Sequence, residues 1–297
     1  ATKRRNRMRS NSWGVWIGVA AILMTGGWWI ASQTSNNRTG NAISRLSAGD
    51  FHSLAFSPTD LDTIYFGHHD GMMVSQNGGR VWQPASLQNV DAMALAVPSD
   101  DPRTMYAAGH NVLVKSTDGG QTWNPLAHNL PGADIHGFAV DPGNAAKVYA
   151  HVVGQVSLFV SEDGGTTWAA LPTEMPATTF NLTVGETEGT LYAAAGEAGL
   201  WRSTDGGRTW TKLTGTPGDG VIALAYNRTN HRLLITTLGN DAGVYASDDG
   251  LSWNSLGLKG MLMAVASSPA DPNRLVPVDD QGWVYASRDG GATWGSN

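Results

Sequence analysis

From residue 50 onward, apolar and polar positions alternate in short runs broken by glycine, asparagine, aspartate and proline. Such a two-residue period is the mark of strands with one buried face. The stretch beginning at Ile135 shows the plan. Ile135–Val140 (IHGFAV) alternates, Asp141-Pro142-Gly143 interrupts it, Lys147–Val152 (KVYAHV) forms a second run and Ser157–Ser161 (SLFVS) a third. The segment SEDGGTTW then turns the chain into a fourth run that begins Trp168-Ala169-Ala170-Leu171. First runs elsewhere read SLAF, ALAV, NLTV, ALAY and AVAS, small residues alternating with larger ones. Second runs place Tyr65, Tyr106, Tyr149 and Tyr192 in one register, with Ile235 and Pro277 in the last two. No stretch after residue 50 has the 3.6-residue period of a helix.

The four-run unit repeats. Its turn segment occurs as SQNGGRVW, STDGGQTW, SEDGGTTW, STDGGRTW, SDDGLSW and SRDGGATW, whose tryptophans stand 41, 45, 42, 43 and 41 residues apart. Fixed spacing of this size marks stacked supersecondary units, and four strands per unit close naturally into a β-propeller. The expected fold is all-β, a six-bladed propeller over residues 42–297. The last unit runs out at Asn297, while Ile43-Ser44-Arg45-Leu46 precedes the first run with the spacing of a unit's final strand. Residues 42–47 are therefore expected to pair into the last blade and close the ring.

Each turn segment combines a hydroxyl, an acid and an indole around glycine: Ser75, Asn77 and Trp82; Ser116, Asp118 and Trp123; Ser161, Asp163 and Trp168; Ser203, Asp205 and Trp210; Ser247, Asp249 and Trp253; Ser287, Asp289 and Trp294. Glycine permits the positive φ of a tight connection, and an Asx side chain accepts N–H groups across its own turn. The indole supplies an apolar plate with one N–H to donate. These roles are structural and need no substrate. Asn77 in place of the acid, and a fifth copy one residue shorter, suit a turn better than a catalytic carboxylate. The pattern S-x-D-G-G-x-T-W resembles the Asp-box (BNR) repeat of sialidases, sortilin-type receptors, some glycoside hydrolases and the photosystem II stability/assembly factor family. The resemblance covers residues 50–297 and implies a propeller. The chain departs from the last family in having six units rather than the usual seven, and in lacking an evident arginine patch.

The N-terminal segment differs. Residues 1–11 carry Lys3, Arg4, Arg5, Arg7 and Arg9 and no acid, and Trp13–Ile30 is an uncharged, mainly apolar run. At 1.5 Å per residue that run makes about 27 Å of helix, close to the hydrocarbon thickness of a bilayer. The expected organisation is a basic cytoplasmic tail (1–11), a transmembrane helix (12–31) and a linker (32–41). Trp13, Trp16, Trp28 and Trp29 would be the interfacial anchors, and Gly14, Gly18, Ala21 and Thr25 a small-residue packing face. The basic flank places the N-terminus inside a bacterial cytoplasmic membrane and the propeller in the periplasm or outside. Bulky Trp28 and Trp29 stand where a signal-peptide cleavage site needs small residues.

From Ser47 onward there are 12 Lys and Arg against 25 Asp and Glu. That acidity excludes nucleic acid as a partner, because phosphate binding rests on clustered cations. There is no cysteine, which excludes disulfides and thiolate sites. A sialidase needs an arginine triad, but of the eight arginines after Ser47 only Arg202 lies on a strand pattern. A glycosidase needs two carboxylates across a cleft. Nothing in the spacing of Glu174, Glu186, Glu188, Glu197, Asp279 and Asp280 singles out a pair. His52 and His136 share a register at the start of first runs, and His68, His69 and His110 fall in turns; they read as scattered histidines rather than metal ligands. The expectation is no catalytic residue, no cofactor and no metal. The resemblance and the N-terminal segment together imply a non-enzymatic, membrane-anchored accessory or assembly subunit of an integral membrane complex, with a photosynthetic reaction centre as one fit. The alternative is a membrane-tethered glycan-binding or glycoside-hydrolase-like propeller.

Overall fold

In the computed structural model, which describes residues 40–295, the alternating runs form six four-stranded antiparallel sheets. Five sheets are consecutive meanders. Blade 1 runs Ser53–Phe56, Ile64–His68, Gly71–Ser75 and Gln83–Gln88, and blade 3 runs Ile135–Asp141, Asn144–Val152, Leu158–Ser161 and Ala169–Ala170. The first strands of blades 2, 4 and 5 are Ala94–Ala96, Asn181–Val184 and Val221–Asn227. The fourth strands are shorter than the sequence pattern suggests, only two residues in blades 2, 3 and 4. An outermost strand has a neighbour on one side only, and its short ladder limits the exposed edge.

The sixth sheet is composite. Leu262–Ser267, Leu275–Asp279 and Trp283–Val284 supply three strands, and Ser44–Arg45 supplies the fourth, pairing Ser44 with Val284 and Arg45 with Trp283. Flanking bonds extend this junction, from Ile43 N to Val284 O and from Leu46 N to Gly282 O, each 2.8 Å. Across the seam Leu46, Phe51, Phe56 and Phe66 pack with Ala264, Val276, Val278 and Val284. Arg274 of blade 6 also donates to Asp62 (2.6 Å) and to the Leu61 carbonyl (3.1 Å) of blade 1.

The core lies between successive blades, because both faces of each sheet are covered by a neighbour. Tyr106, for example, is fully buried and packs with Phe138, Val148 and Trp168 of blade 3. Its hydroxyl donates to the Ala145 and Gly164 carbonyls of that blade. Burying a large aromatic on an interblade face stabilises by about 1.5–3 kcal/mol. The second-strand tyrosine register is thus a set of interblade wedges. The expected register is corrected in blades 5 and 6. There Leu233 and Leu275 pair with the box serines, so Leu234 and Val276, not Ile235 and Pro277, take the tyrosine position, buried and without a hydroxyl to place.

Among the described residues no helix is long and apolar enough to cross a membrane. The expected tail, transmembrane helix and most of the linker, with Trp13, Trp16, Trp28, Trp29, Gly14, Gly18, Ala21 and Thr25, lie outside the described residues, as do Ser296 and Asn297.

Candidate functional site

The box of blade 2 shows what the repeated hydroxyl, acid and indole do. Ser116 Oγ accepts the Gly120 N–H at 2.9 Å and donates to Asp118 Oδ1 at 2.8 Å. That Oδ1 also accepts the Gln121 and Thr122 N–H groups, both at 2.9 Å, while Oδ2 accepts the Thr122 hydroxyl at 2.6 Å. Trp123 Nε1 donates to the Gly120 carbonyl at 3.2 Å. Both glycines adopt left-handed φ, 78° at Gly119 and 82° at Gly120. The Gly119 N–H reaches the Arg103 carbonyl at 2.8 Å and staples the box to the connection between the first two strands.

The other boxes repeat these bonds with instructive exceptions. Asn77 accepts the Arg80 and Val81 N–H groups through its amide oxygen at 3.1 and 2.8 Å, doing by dipole what the acids do by charge. In the shortened fifth box Trp253 Nε1 is buried without a partner. Trp294 turns its N–H to the Leu256 carbonyl of blade 5 at 2.7 Å. Threonine hydroxyls lead the donors that lower Asp163, Asp205 and Asp289 to about 2, and backbone N–H groups do the same for Asp249. Carboxylates held so firmly as anions have no proton to give near neutrality. None of them lines the central channel.

That channel, about 440 Å³, is lined by the first strands of all six blades. At one mouth the equivalent positions at or just before the start of those strands are His52, Met93, His136, Phe180, Ile222 and Met263, so blades 4–6 offer apolar side chains where blades 1 and 3 offer imidazoles. Two residues earlier stand Asp50, Asp91 and Asp134 in blades 1–3. The turns joining second and third strands bring His69 and His110 over the same mouth. The scattering expected from sequence is corrected here: four histidines form one continuous row. His52 and His69 approach through Nε2 at 3.0 Å, the His69 and His110 rings lie 5.5 Å apart, and His110 and His136 meet through Nε2 at 3.2 Å.

The acids anchor the row. Asp50 accepts the His69 N–H at 3.0 Å and lies 2.8 Å from His69 Nδ1. One blade on, Asp91 accepts the His110 N–H at 3.1 Å and lies 2.5 Å from His110 Nδ1. Gly109 makes the second pair feasible, since a Cβ there would sit 2.9 Å from Asp91 Oδ1. Burial lowers His52 to about 4 and pushes His136 below the ordinary histidine range, the neighbouring aspartates only partly opposing it. The His52 ring is neutral at physiological pH.

The acids and arginines considered for catalysis are separated or engaged. Glu186 pairs with Arg202 and accepts the Tyr192 hydroxyl, and Asp279 accepts two backbone N–H groups and the Tyr285 hydroxyl. Glu174, Glu188 and Glu197 are exposed, and Asp280 is half-buried. Arg228 reaches from blade 5 to Asp141 of blade 3 at 3.4 Å, while Arg232 binds the Gly290 carbonyl of the sixth box.

The repeat, the boxes and the closed ring define an Asp-box β-propeller. A family model described as photosynthesis system II assembly factor YCF48 matches residues 47–186, and it is this family that the chain resembles. Among solved structures, YCF48 from Cyanidioschyzon merolae is 18% identical, with a TM-score of 0.54 over 86% of this chain and 87% of that one. A structure of YCF48 bound to D1 peptide is 17% identical, with a TM-score of 0.54 over 84% and 83%. A GH74 xyloglucanase from Xanthomonas campestris is 16% identical, with a TM-score of 0.59 over 87% of this chain. The chain spans less than half of the GH74 enzymes it matches, 46% of that one. At these identities the solved structures establish the fold alone. No curated protein sequence matches the chain.

Proposed function

We propose that this propeller is a non-enzymatic assembly or stabilising subunit for an integral membrane protein complex, with a photosynthetic reaction-centre complex as the leading class of partner. The observation that carries this reading is the match of residues 47–186 to the YCF48 assembly-factor model. The structural neighbour solved with a D1 peptide supports it, since that propeller binds a segment of another protein. Rigid scaffolds concentrate binding in their loops, and here the box acids are committed to turns and the other acids are dispersed. The apolar, tryptophan-bordered run before residue 31 supports single-pass anchoring in a bacterial cytoplasmic membrane, with the propeller outside.

The test is affinity purification of the full chain from native membranes in mild detergent. Recovery with a stoichiometric set of integral membrane subunits is the expected result; recovery only as a free monomer overturns the reading. The fold shared with a xyloglucanase supplies the competing assay. Release of reducing ends from xyloglucan by the purified chain, abolished by one carboxylate substitution, would replace the scaffold reading with the glycoside-hydrolase one.

A further inference from the structure

We propose that the channel mouth of blades 1–3 is a binding site for a divalent first-row transition-metal ion, held by His110 Nε2, His136 Nε2 and Asp134 Oδ1. The proposal is independent of any membrane partner. His136 Nε2 lies 3.2 Å from His110 Nε2 and 3.2 Å from Asp134 Oδ1, and His110 Nε2 lies 3.9 Å from that oxygen. Two ligands each about 2.0–2.2 Å from one ion and about 90–110° apart stand about 2.9–3.5 Å from one another. Two of the three separations fall in that range, and a small rotation of the exposed His110 ring brings in the third.

The surroundings match what a bound metal requires. A ligating imidazole presents one nitrogen to the ion while its other N–H donates to a carboxylate, which fixes tautomer and ring orientation. Asp91 does this for His110 through Nδ1 and leaves Nε2 free to ligate. Asp134 Oδ1 is shielded from solvent and faces the two imidazole nitrogens, 3.2 Å from His136 Nε2 and 3.9 Å from His110 Nε2, so it points to the place where the ion would sit. Two imidazoles and one carboxylate select zinc-class ions over magnesium or calcium, which prefer all-oxygen shells. Three protein ligands also leave a coordination position for water or for a side chain of a docked protein. Asp50, His52 and His69 repeat the same ligand types one step along the row.

A folding role alone would not need this arrangement. Blades 4–6 close their part of the mouth with Phe180, Ile222 and Met263, and need neither acid nor imidazole there. The ion would instead join blades 2 and 3 at the place where their apolar packing gives way to charge.

The experiment is a Zn²⁺ titration of the full chain in detergent after chelation, by calorimetry and by competition with a chromophoric chelator. Co²⁺ serves as a spectroscopic stand-in. Expected results are saturable binding, a Co²⁺ d–d spectrum of low-coordinate N/O ligation, and a melting temperature that rises with Zn²⁺. The double variant His110→Ala/His136→Ala should weaken Zn²⁺ at least about 100-fold, and Asp91→Asn about 10–100-fold, the usual effect of losing an orienting carboxylate. His128→Ala and His231→Ala, outside the row, should change nothing. Asp91→Asn keeps size and shape, so it reports on ligation even if the double variant folds poorly; melts in chelator verify folding for each. Zn²⁺ affinity equal to the parent's in folded Asp91→Asn or in the folded double variant, or no saturable binding by the folded parent, overturns the proposal.

Discussion

The two faces of this propeller obey opposite rules. On the face that carries the boxes, every blade repeats the serine and Asx bonds of the turn, and Asn77 accepts the same N–H groups as the aspartates do. The indole bond alone departs, in the last two boxes. At the opposite mouth, blades 1–3 gather four histidines and three aspartates, while blades 4–6 present Phe180, Ile222 and Met263. What recurs in all units is what each unit needs to stand against its neighbour. What breaks the repeat has no such duty, and that is where a specific ligand or partner should be sought.

Four measurements sharpen this contrast, the largest effect first. Trp168→Ala removes the most buried of the box indoles and its bond to Gly165, and should cost about 3–5 kcal/mol in urea unfolding. Zn²⁺ affinity of the folded fraction should not change. Gly207→Val forces a β-branched residue into φ 88°, with a Cβ 2.4 Å from a Leu158 methyl. Left-handed strain and overpacking together should cost about 3 kcal/mol by the same assay. Arg274→Ala opens the seam between blades 6 and 1 and should cost about 1–3 kcal/mol, with Arg274→Lys restoring only part of it.

The fourth measurement separates the faces by pH. His52 folds with a depressed pKa, so the unfolded chain binds the extra proton first. Its contribution is intact above the ordinary histidine value of about 6.5 and fades as pH falls toward about 4. The box aspartates are depressed as well, so their contribution is present above about 4 and is lost as pH falls through about 2. Denaturation across pH 7 to 2 should therefore show two descents. His52→Ala/His136→Ala should shrink the upper one alone, leaving the share of buried His151, and Asp163→Asn should shrink the lower one by lowering stability at neutral pH.

Much of the ring is legible in the sequence because its information is periodic. The tryptophan spacing gives the number of blades, and the tyrosine register gives the interblade wedges. Ser44–Arg45 stands out because it has the final-strand pattern without a unit of its own. The histidine row is less legible, because its members belong to two different structural positions. His52 and His136 stand at the start of first strands, whereas His69 and His110 sit in turns that fold back over the mouth. Only the curl of those turns, pinned by Asp50 and Asp91, makes them neighbours. A signal was nevertheless present: Asp50, Asp91 and Asp134 recur at box-like intervals and then stop. The unbonded indole of Trp253 belongs to the one box that is a residue short, a departure that the sequence shows without its consequence for the indole.

The pairing of Ser44–Arg45 with Trp283–Val284 also dictates an order of events at the ribosome. The earliest-made piece of the ring must wait, unpaired, until the other strands of the ring have emerged, because its partner belongs to the last blade. Throughout that interval the nascent protein carries two complementary open edges, one at each end of an arc of sheets. An arc of this kind can trade its free edges with a second copy as readily as with itself, so crowded translation on one message should favour interlocked dimers, and slow elongation through the last blade should suppress them.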